Sequence, residues 1–315
     1  MRRRVDEHGC RRVVGRALGL VLAAGVLTAG LAAEAFPGDL TAVARRRGWG
    51  YLLDKLVADG VPAARAAAAL TDPRLPPFDG LSFSIAPREA AGPYRRLQSA
   101  ASVAAARRCR ARYAAEFEAA EAAHAVPAEL IAAIIHVESA CGRNTGASRV
   151  FHRLARLAMA NEPANLARNV RRHAARGAPD PTLPARVRAR GRYLEDVFYP
   201  EVRALFTVGV DLGIDPLALR GSVAGAFGYP QFLPTSFLNH GVDANGDGRV
   251  DLYDMADAAS SCARYLRDHG WRPELSLAER RAVIWKYNRS DVYIDTILAL
   301  AGRLAAGDRV ARERR

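Results

Sequence analysis

The stretch "VPAELIAAIIHVES" (Val126–Ser139) decides the fold prediction. Pro127 suits the first turn of a helix, where its missing N–H leaves no hydrogen bond unmade, and Gly142 suits the residues after the helix end. The stretch is mostly apolar, which predicts a helix over 127–139 that enters a core. On a 3.6-residue period, three isoleucines share one face with an acid: Ile131, Ile134, Ile135 and Glu138. A carboxyl group is therefore expected beside the core.

The rest of the 315-residue chain predicts a mainly α-helical protein. Half of the residues are hydrophobic and a quarter are charged, as in ordinary globular proteins, whereas strand-forming runs are scarce. The hydrophobic pattern predicts two short helices within 39–72 and one long helix over 94–124. Further amphipathic helices are expected up to residue 307, with a kink or a break at Pro200.

The first 35 residues have the composition of an export signal. A basic leader precedes an uninterrupted apolar run, Ala17–Ala33, and small residues suited to cleavage come before Phe36. We interpret residues 1–35 as a signal peptide, with an uncleaved membrane anchor as the alternative. The segment holds six arginines and three acids of a chain with 46 basic and 33 acidic residues, so its removal leaves a net charge of +10. Such a charge favours polyanions or an anionic membrane surface, unless it reflects coding bias alone.

Three cysteines follow the leader: Cys109, Cys141 and Cys262. In an oxidising compartment they allow one disulfide and leave one thiol. Cys141 follows the helix that carries Glu138, and Cys262 lies on a later helix, so a bond between these two would brace the region. The sequence alone does not assign the pairing.

The clearest local motif is "DANGDGRVDLYD" (Asp243–Asp254), which has the spacing of an EF-hand calcium loop. Gly248 occupies position 6, where the sharp turn is needed, and Asp254 stands at position 12 in place of the usual glutamate. A polar turn without metal is the alternative interpretation. A single loop favours a structural Ca²⁺ site, with oxygen ligands from Asp243, Asn245, Asp247, the Arg249 carbonyl, Asp251 and Asp254.

Glu138 allows two interpretations. It is either a surface glutamate that closes a helix or a general acid. Its isoleucine neighbours and the negative end of the helix dipole both disfavour the carboxylate, and therefore raise the expected pKa. A carboxyl group that stays protonated near neutral pH is what a glycosidase acid requires. His136 lies off the apolar stripe and is expected to be exposed or to lie behind the site.

Two further segments carry candidate sugar-binding residues. "GSVAGAFGYPQFLPTSF" (Gly221–Phe237) is a glycine-rich loop in which Ser222, Tyr229 and Gln231 offer hydroxyl and amide contacts. No Lys-Ser/Thr pair follows, which argues against a phosphate loop. "WKYNRSDVY" (Trp285–Tyr293) groups Tyr287, Asn288 and Tyr293 between two helices, where packing is the alternative role for the tyrosines.

Together with "ADAASSCARYLRDHGW" (Ala256–Trp271), these motifs resemble the membrane-bound lytic murein transglycosylase B family over residues 40–305. Their order along the chain matches too: the helix Val126–Ser139, then Gly221–Phe237, Asp243–Asp254, Ala256–Trp271 and Trp285–Tyr293. The resemblance implies a lysozyme-like helical catalytic domain at 94–307, an N-terminal helical region at 36–93 and a basic tail at 308–315. It implies a periplasmic, monomeric enzyme that acts on peptidoglycan glycan strands. Nucleic acid is not an expected partner, because the leader predicts an exported chain. Inner-membrane association through the N-terminal segment is left open, and Ca²⁺ is structural rather than catalytic.

The resemblance also assigns residues and a reaction. The family cleaves the bond between N-acetylmuramic acid (MurNAc) and N-acetylglucosamine (GlcNAc) without water and leaves 1,6-anhydro ends. By motif position, Glu138 is the single acid and base. Substrate-binding positions match Ser222, Gln231, Tyr265, Tyr287, Asn288 and Tyr293. The alternatives are a hydrolytic muramidase on the same scaffold and a non-catalytic, calcium-stabilised wall-binding protein. This chain departs from the family in an arginine-rich, longer segment between Glu138 and Ser222, and in a shorter one after Asp254.

Overall fold

The computed structural model describes residues 37–87, 92–211 and 214–313. The predicted signal peptide or membrane anchor at 1–35 lies outside the described residues. Within them the chain forms α1 (Pro37–Arg46), α2 (Gly50–Ala58), α3 (Ala63–Thr71), α4 (Gly92–Leu97), α5 (Ala100–Arg112), α6 (Ala114–His124), α7 (Ala128–Ser139), β1 (Ser148–Arg149), α8 (Val150–Ala158), α9 (Pro163–Ala174), α10 (Leu183–Asp211), β2 (Arg220–Gly221), α11 (Pro234–His240), α12 (Met255–Asp268), α13 (Leu277–Tyr287) and α14 (Asp291–Glu313). The prediction of a mainly α-helical protein is confirmed.

Helix α7 is the central helix of the main core. It packs against α5, α6, α12 and α14, and nine of its twelve residues are buried, so it is enclosed on more than one side. Pro127 precedes its first residue, and Ala140 ends it in the left-handed conformation at φ 51°. The side chain of Ser139 closes the last turn, because its Oγ donates to Ile135 O at 3.0 Å and accepts the Gly142 N–H at 3.0 Å. The predicted bounds of this helix are confirmed to within one residue.

The region predicted as one long helix, 94–124, is three helices. Ser99 interrupts it because its Oγ caps α5 by accepting the Ser102 N–H at 3.3 Å. Tyr113 interrupts it again with ψ 38°, between α5 and α6. The region before it, predicted as two helices, is also three, since Gly48 and Trp49 separate α1 from α2. In each case the hydrophobic pattern continues across a short break between helices, so the pattern does not show the break.

A disulfide joins Cys109 in α5 to Cys141 after α7. The pairing that the sequence left open is thus Cys109 with Cys141 and not Cys141 with Cys262, and Cys262 is a buried free thiol, so the expectation of one disulfide and one thiol is confirmed. Cys141 pairs with Cys109 because α5 packs against the end of α7, and the order of motifs along the chain does not indicate that packing.

Of the two positions expected for His136, exposed or behind the site, exposure is wrong. His136 is 3% exposed, and its Nε2 lies 2.9 Å from the Oγ of Ser102 on α5. Because α7 is enclosed on several sides, a residue off the isoleucine stripe still faces a neighbouring helix.

Two short strands position the glycine-rich loop. Ser148 pairs with Gly221 and Arg149 with Arg220 in an antiparallel register. This pairing ties the chain that follows α7 to the start of the loop that holds Ser222. A tight hairpin then returns through an isolated bridge between Phe227 and Phe232.

The arginine-rich segment after α8 forms α9 and the first part of the long α10. Pro200 lies inside α10, so the break allowed at that position does not interrupt the helix. On α9, the buried amides of Asn165 and Asn169 hold the extended chain opposite: Asn165 accepts the Leu81 N–H at 2.8 Å, and Asn169 donates to Leu81 O at 2.8 Å. The segment is thus an ordered part of the fold.

In the described parts of the chain, no single helix is long and apolar enough to cross a membrane. Helices α6 and α7 meet that length and composition only as a pair bent by 119°.

Candidate active site around Glu138

Glu138 lies at the end of α7, half-buried, beside a fully buried apolar wall. Ile131, Ile134 and Ile135 are each 0% exposed, which confirms the predicted apolar stripe. Oε1 of Glu138 accepts a hydrogen bond from the Tyr293 hydroxyl at 2.7 Å. Tyr293 belongs to the first turn of α14 and is itself 1% exposed, so a residue 155 positions away fixes the carboxyl group.

The surroundings of Glu138 favour its protonated form. Burial raises the pKa of Glu138 to about 7, and the hydrogen bond from Tyr293 opposes that rise. The predicted direction of the pKa is confirmed. Because the pKa lies near neutrality, the same group can donate a proton and then accept one, as a single acid and base must.

Three tyrosines form a cluster behind and beside this carboxyl group. The rings of Tyr287 and Tyr293 stack at 6.5 Å with 12° between their planes, and Tyr265 meets Tyr287 edge-on at 4.9 Å. The Tyr287 hydroxyl donates to Pro230 O at 2.5 Å, and the Tyr265 hydroxyl donates to Lys286 O at 2.7 Å. Tyr265 is only 9% exposed, so its ring supports the cluster more than it offers a free sugar-binding surface.

Cys262 is a residue of this cluster that the sequence did not reveal as part of the site. Its side chain is 0% exposed on α12, and burial raises the pKa of its thiol, with the charge of Glu138 acting in the same direction. A neutral thiol here extends the apolar surroundings of the carboxyl group. The only sequence signal was its position on the same helix as Tyr265, one turn earlier.

The glycine-rich loop presents Ser222 and Gln231 from a tight hairpin. Ser222 Oγ accepts the Ala226 N–H at 3.1 Å, which leaves its hydroxyl hydrogen to donate elsewhere. Gln231 adopts φ 52°, and its amide nitrogen donates to Thr145 O at 3.1 Å and Gly228 O at 2.9 Å. Gln231 therefore fastens the loop to the chain after α7, and its amide oxygen remains as an acceptor.

Tyr229 is placed against the end of the glutamate helix. A Cβ added at Gly142 would lie 2.5 Å from its Cε1, so only glycine allows the ring to pack there. The Tyr229 N–H donates to Leu252 O at 2.8 Å, which also links this loop to the acidic loop. The glycine that was predicted to end α7 thus serves the approach of an aromatic ring.

Asn288 ends α13 in an extended conformation at φ −146° and is half-buried. Its carbonyl accepts the Ser290 N–H at 2.9 Å, and Ser290 Oγ in turn accepts the Tyr293 N–H at 3.1 Å. Asn288 therefore lies in the short turn of chain that connects Tyr287 to Tyr293.

The structure therefore joins most of the predicted site residues by direct contacts. Glu138, Tyr293, Tyr287 and Tyr265 form one chain of contacts, and Tyr287 reaches Pro230, next to Gln231. Ser222 and Tyr229 belong to the same hairpin as Gln231. The predicted metal ligands lie in a separate loop. That loop contacts this region through Leu252 O, which accepts the Tyr229 N–H, and through Tyr253, whose ring meets that of Tyr229 at 6.3 Å.

The acidic loop is held by its own side chains. Asp243 accepts the N–H groups of Gly246 and Gly248 at 2.8 Å each, and Gly248 makes the sharp turn at φ 84°. Asn245 accepts the Asp247 N–H at 3.0 Å, and Asp247 accepts the Arg249 N–H at 2.9 Å. These short-range bonds are those that Asp and Asn make in turns.

Asp257 is the residue of this loop that the sequence prediction missed. Its carboxylate is 0% exposed and accepts the backbone N–H groups of Ala244 at 2.8 Å, Asn245 at 3.3 Å and Asp251 at 2.7 Å. It lies on the first turn of α12, beyond the twelve-residue window of the motif, so the window excluded it. The predicted position-12 ligand, Asp254, caps α12 by accepting the Ala256 N–H at 2.9 Å.

The atom types of the acidic loop suit calcium better than the spacing of its side chains does. Its candidate donors are all oxygens, as a hard cation requires, and the glycine turn is present. In the described residues, however, no three Asp, Glu, His or Cys side chains are grouped closely enough to hold a metal ion. The predicted calcium ligands thus stay a prediction.

A curated relative and two solved structures show similarity to this chain. The membrane-bound lytic murein transglycosylase B of Escherichia coli (strain K12) is 35% identical over 148 residues, which is 47% of this chain and 33% of that protein. The matched part thus spans about a third of the relative's length. The soluble lytic transglycosylase SltB1 of Pseudomonas aeruginosa superposes with a TM-score of 0.61 at 25% identity, covering 83% of this chain and 99% of that one. The Escherichia coli lytic transglycosylase Slt35 in complex with calcium gives a TM-score of 0.60 at 22% identity, covering 82% and 93%.

The family comparison covers most of the chain. The family model of the transglycosylase SLT domain matches residues 57–281, which include Glu138, the glycine-rich loop and the acidic loop. The fold is that of the lytic transglycosylases, with a lysozyme-like helical architecture. The chain belongs to the transglycosylase SLT domain family.

Proposed function

We propose that the chain is a peptidoglycan lytic transglycosylase. It would cleave the β-1,4 bond between MurNAc and GlcNAc and leave a 1,6-anhydro-MurNAc end, with Glu138 as the only acid and base. The observation that carries this proposal is a half-buried carboxyl group with a pKa of about 7, held by the Tyr293 hydroxyl beside a loop that offers Ser222 and Gln231. The membership in the transglycosylase SLT domain family supports it.

In the first step, protonated Glu138 donates its proton to the glycosidic oxygen as the bond to C1 of MurNAc breaks. The GlcNAc side leaves as an alcohol, and positive charge develops at C1. The acetamido oxygen of the same MurNAc stabilises this charge, with Ser222 and Asn288 orienting the acetamido group. Tyr293 then stabilises the Glu138 carboxylate through the hydrogen bond that already reaches Oε1.

In the second step, the Glu138 carboxylate takes the proton of the C6 hydroxyl of the same sugar. O6 attacks C1 and displaces the acetamido oxygen, which closes the 1,6-anhydro ring. Glu138 regains the proton that it donated, so the cycle consumes no water. A site that excludes water favours this internal attack over hydrolysis.

The electrostatics of Glu138 support a single-carboxylate mechanism. Burial and the Tyr293 hydroxyl account for its shifted pKa, and no second carboxylate among the described residues contributes to that shift. Glycosidases with two catalytic carboxylates place them about 5–10 Å apart, where each would perturb the other. This arrangement favours help from the substrate over a protein nucleophile.

Product analysis tests the proposal against a hydrolytic muramidase. Purified glycan strands are digested in H₂¹⁸O, and the masses of the fragments are measured by mass spectrometry. Anhydro ends without ¹⁸O are expected. Reducing ends that carry ¹⁸O would assign the chain to the muramidases, and undigested strands would favour a wall-binding protein without catalysis.

For the acidic loop we propose a structural Ca²⁺ site, supported by the oxygen donors at Asp243, Asn245 and Asp247 and by the calcium complex of Slt35. Titration of EDTA-treated protein with Ca²⁺ should release heat and raise the melting temperature, whereas Mg²⁺ should do neither at the same concentration. The Asp243→Asn/Asp247→Asn variant should lose the response. Absence of heat and of any melting shift in the unmodified chain would reject the site.

The same proposal places the protein in the cell envelope. Residues 1–35 would export it to the periplasm, as a cleaved signal peptide or as an inner-membrane anchor, and residues 94–307 would form the catalytic region. We propose a monomer that acts on glycan strands. The name of the Escherichia coli relative, a membrane-bound lytic murein transglycosylase, supports this location.

A further inference from the structure

A concave, positively charged surface lies next to the end of the glutamate helix. It encloses about 410 Å³ and is lined by Arg108, Arg112 and Tyr113 from one side and Arg143 from the other, with the Cys109–Cys141 disulfide between them. We call these residues the arginine cavity. Neither the family motifs nor the proposed mechanism uses them.

The three guanidinium groups of the arginine cavity are not matched by acids. None of the residues that line it is Asp or Glu. In the part of the chain that the structure describes, Arg112 contacts the Tyr113 ring at 5.1 Å and Arg143 Nε donates to Ala140 O at 3.1 Å, but no carboxylate pairs with either or with Arg108. All three arginines are exposed, so their charge is available to a ligand.

The arginine cavity is fixed relative to Glu138. Arg143 follows Glu138 by five residues, and the disulfide ties α5, which carries Arg108 and Arg112, to the end of α7. The geometry across the cavity is therefore set by a covalent link between its two sides.

The arginine cavity also adjoins the candidate sugar loop. Tyr229 packs on Gly142, the residue before Arg143. Burial raises the pKa of Tyr229, Tyr113 adds to the rise and Arg112 opposes it, so both cavity residues lie within electrostatic range of Tyr229. The positive surface thus adjoins the loop that carries Tyr229, one of the proposed sugar-binding residues.

We propose that the arginine cavity is a carboxylate-binding subsite that receives the acidic substituents of a muramic acid residue bound beside Glu138. The inference rests on the proposed function for the identity of the glycan. Guanidinium groups bind carboxylates through paired N–H donors, and three of them suit a ligand that carries more than one negative charge. Glycan strands offer two such sources: the stem peptides, and the lactyl carboxylate that is exposed when the peptides are absent.

The test measures binding rather than turnover, so that it stays separate from the proposed chemistry. Three tetrasaccharides are titrated calorimetrically into Glu138→Gln protein: GlcNAc–MurNAc repeats with tetrapeptide stems, the same repeats without peptides, and chitotetraose, which has no carboxylate. The variant Arg108→Gln/Arg112→Gln/Arg143→Gln is compared with Arg171→Gln/Arg176→Gln/Arg188→Gln. The second variant removes the same charge from exposed positions of α9, α10 and the chain between them.

The cavity variant should weaken binding of the carboxylate-bearing ligands about tenfold at low salt, and the loss should shrink as salt is added. Chitotetraose binding should change by less than about twofold, as should every ligand with the control variant. Weakening confined to the peptide-bearing strands would identify stem-peptide carboxylates, and weakening on the peptide-free strands would identify the lactyl group.

Equal weakening on all three ligands, or a loss no larger than that of the control variant, would overturn the subsite. A chain that binds in this carboxylate-dependent way but forms no anhydro ends would instead contradict the proposed function and leave the subsite standing.

Discussion

The acid cluster around Glu138 and the acidic loop Asp243–Asp254 are built in opposite ways. The cluster depends on a contact between α7 and α14, through the hydrogen bond of Tyr293 to Glu138. The loop depends mostly on bonds between residues two to five positions apart, such as those of Asp243 and Asn245. The contact between distant helices thus positions one carboxyl group and acts on its pKa, whereas bonds between neighbouring residues shape the acidic loop.

The largest expected effect is on the acid cluster. Glu138→Gln keeps the shape of the side chain but cannot donate the proton, so cleavage of peptidoglycan should fall by about a thousandfold or more. Glu129→Gln, in the first turn of the same helix, is the matched control and should retain activity. Release of soluble fragments from sacculi measures both. Substantial cleavage by Glu138→Gln would place the acid elsewhere.

The disulfide tests how far the cluster depends on long-range links. It closes a separation of 32 residues, and the Cys109→Ser/Cys141→Ser variant should lose about 3–4 kcal/mol of unfolding free energy. Urea unfolding measures the loss, and a reductant should lower the stability of the unmodified protein but not of the variant. Cys262→Ser is the control, since that thiol is unpaired: the variant keeps the Cys109–Cys141 bond, so reductant should still lower its stability as it does for the unmodified protein.

Asp257 links the acidic loop to α12, and removal of this link should sharpen the comparison. Asp257→Asn replaces one buried acceptor oxygen by a donor in front of backbone N–H groups, so we expect a loss of about 1–3 kcal/mol with or without Ca²⁺. Asp247→Asn changes an exposed side chain and should cost less than about 1 kcal/mol in the absence of Ca²⁺. Thermal unfolding in EDTA and in Ca²⁺ separates the two. Equal losses would mean that Asp257 has no special part in the loop.

A smaller effect is expected at Tyr293. Tyr293→Phe removes the hydrogen bond that favours the Glu138 carboxylate, so the pKa of Glu138 should rise and activity should fall about tenfold. Tyr265→Phe is the matched control, because that hydroxyl donates to a backbone carbonyl and not to Glu138. The pH profile of cleavage distinguishes the two variants, because only Tyr293→Phe should move the alkaline limb of the profile to higher pH. Identical profiles for both variants would show that Tyr293 acts through packing alone.

The sequence predicted the local parts of this molecule well. The bounds of α7, its apolar stripe and the glycine turn of the acidic loop depend on neighbouring residues, which a pattern of period 3.6 or a motif spacing reports. The breaks at Ser99 and Tyr113 were missed because they lie within a continuous amphipathic pattern.

Contacts between distant segments were less accessible. The partner of Cys141, the burial of His136 against Ser102 and the role of Asp257 each depend on which helices pack together. The juxtaposition of Glu138 with Tyr293 came from a family resemblance and not from periodicity. The features that could not be predicted are therefore contacts between distant helices, whereas the burial that raises the pKa of Glu138 was predicted from the apolar stripe of its own helix.

The most direct test is the titration of Glu138 itself, followed by the ¹³C shift of its carboxyl carbon, with Glu138→Gln used to assign the signal. Burial should place the midpoint at about 7, above the ordinary 4.5, so the acid form needed for catalysis is lost as pH rises through 7. Because the folded state then holds a proton that the unfolded chain releases, unfolding free energy should fall from pH 4.5 to 7, and less so in Glu138→Gln. A midpoint near 4.5 with flat stability would contradict the account.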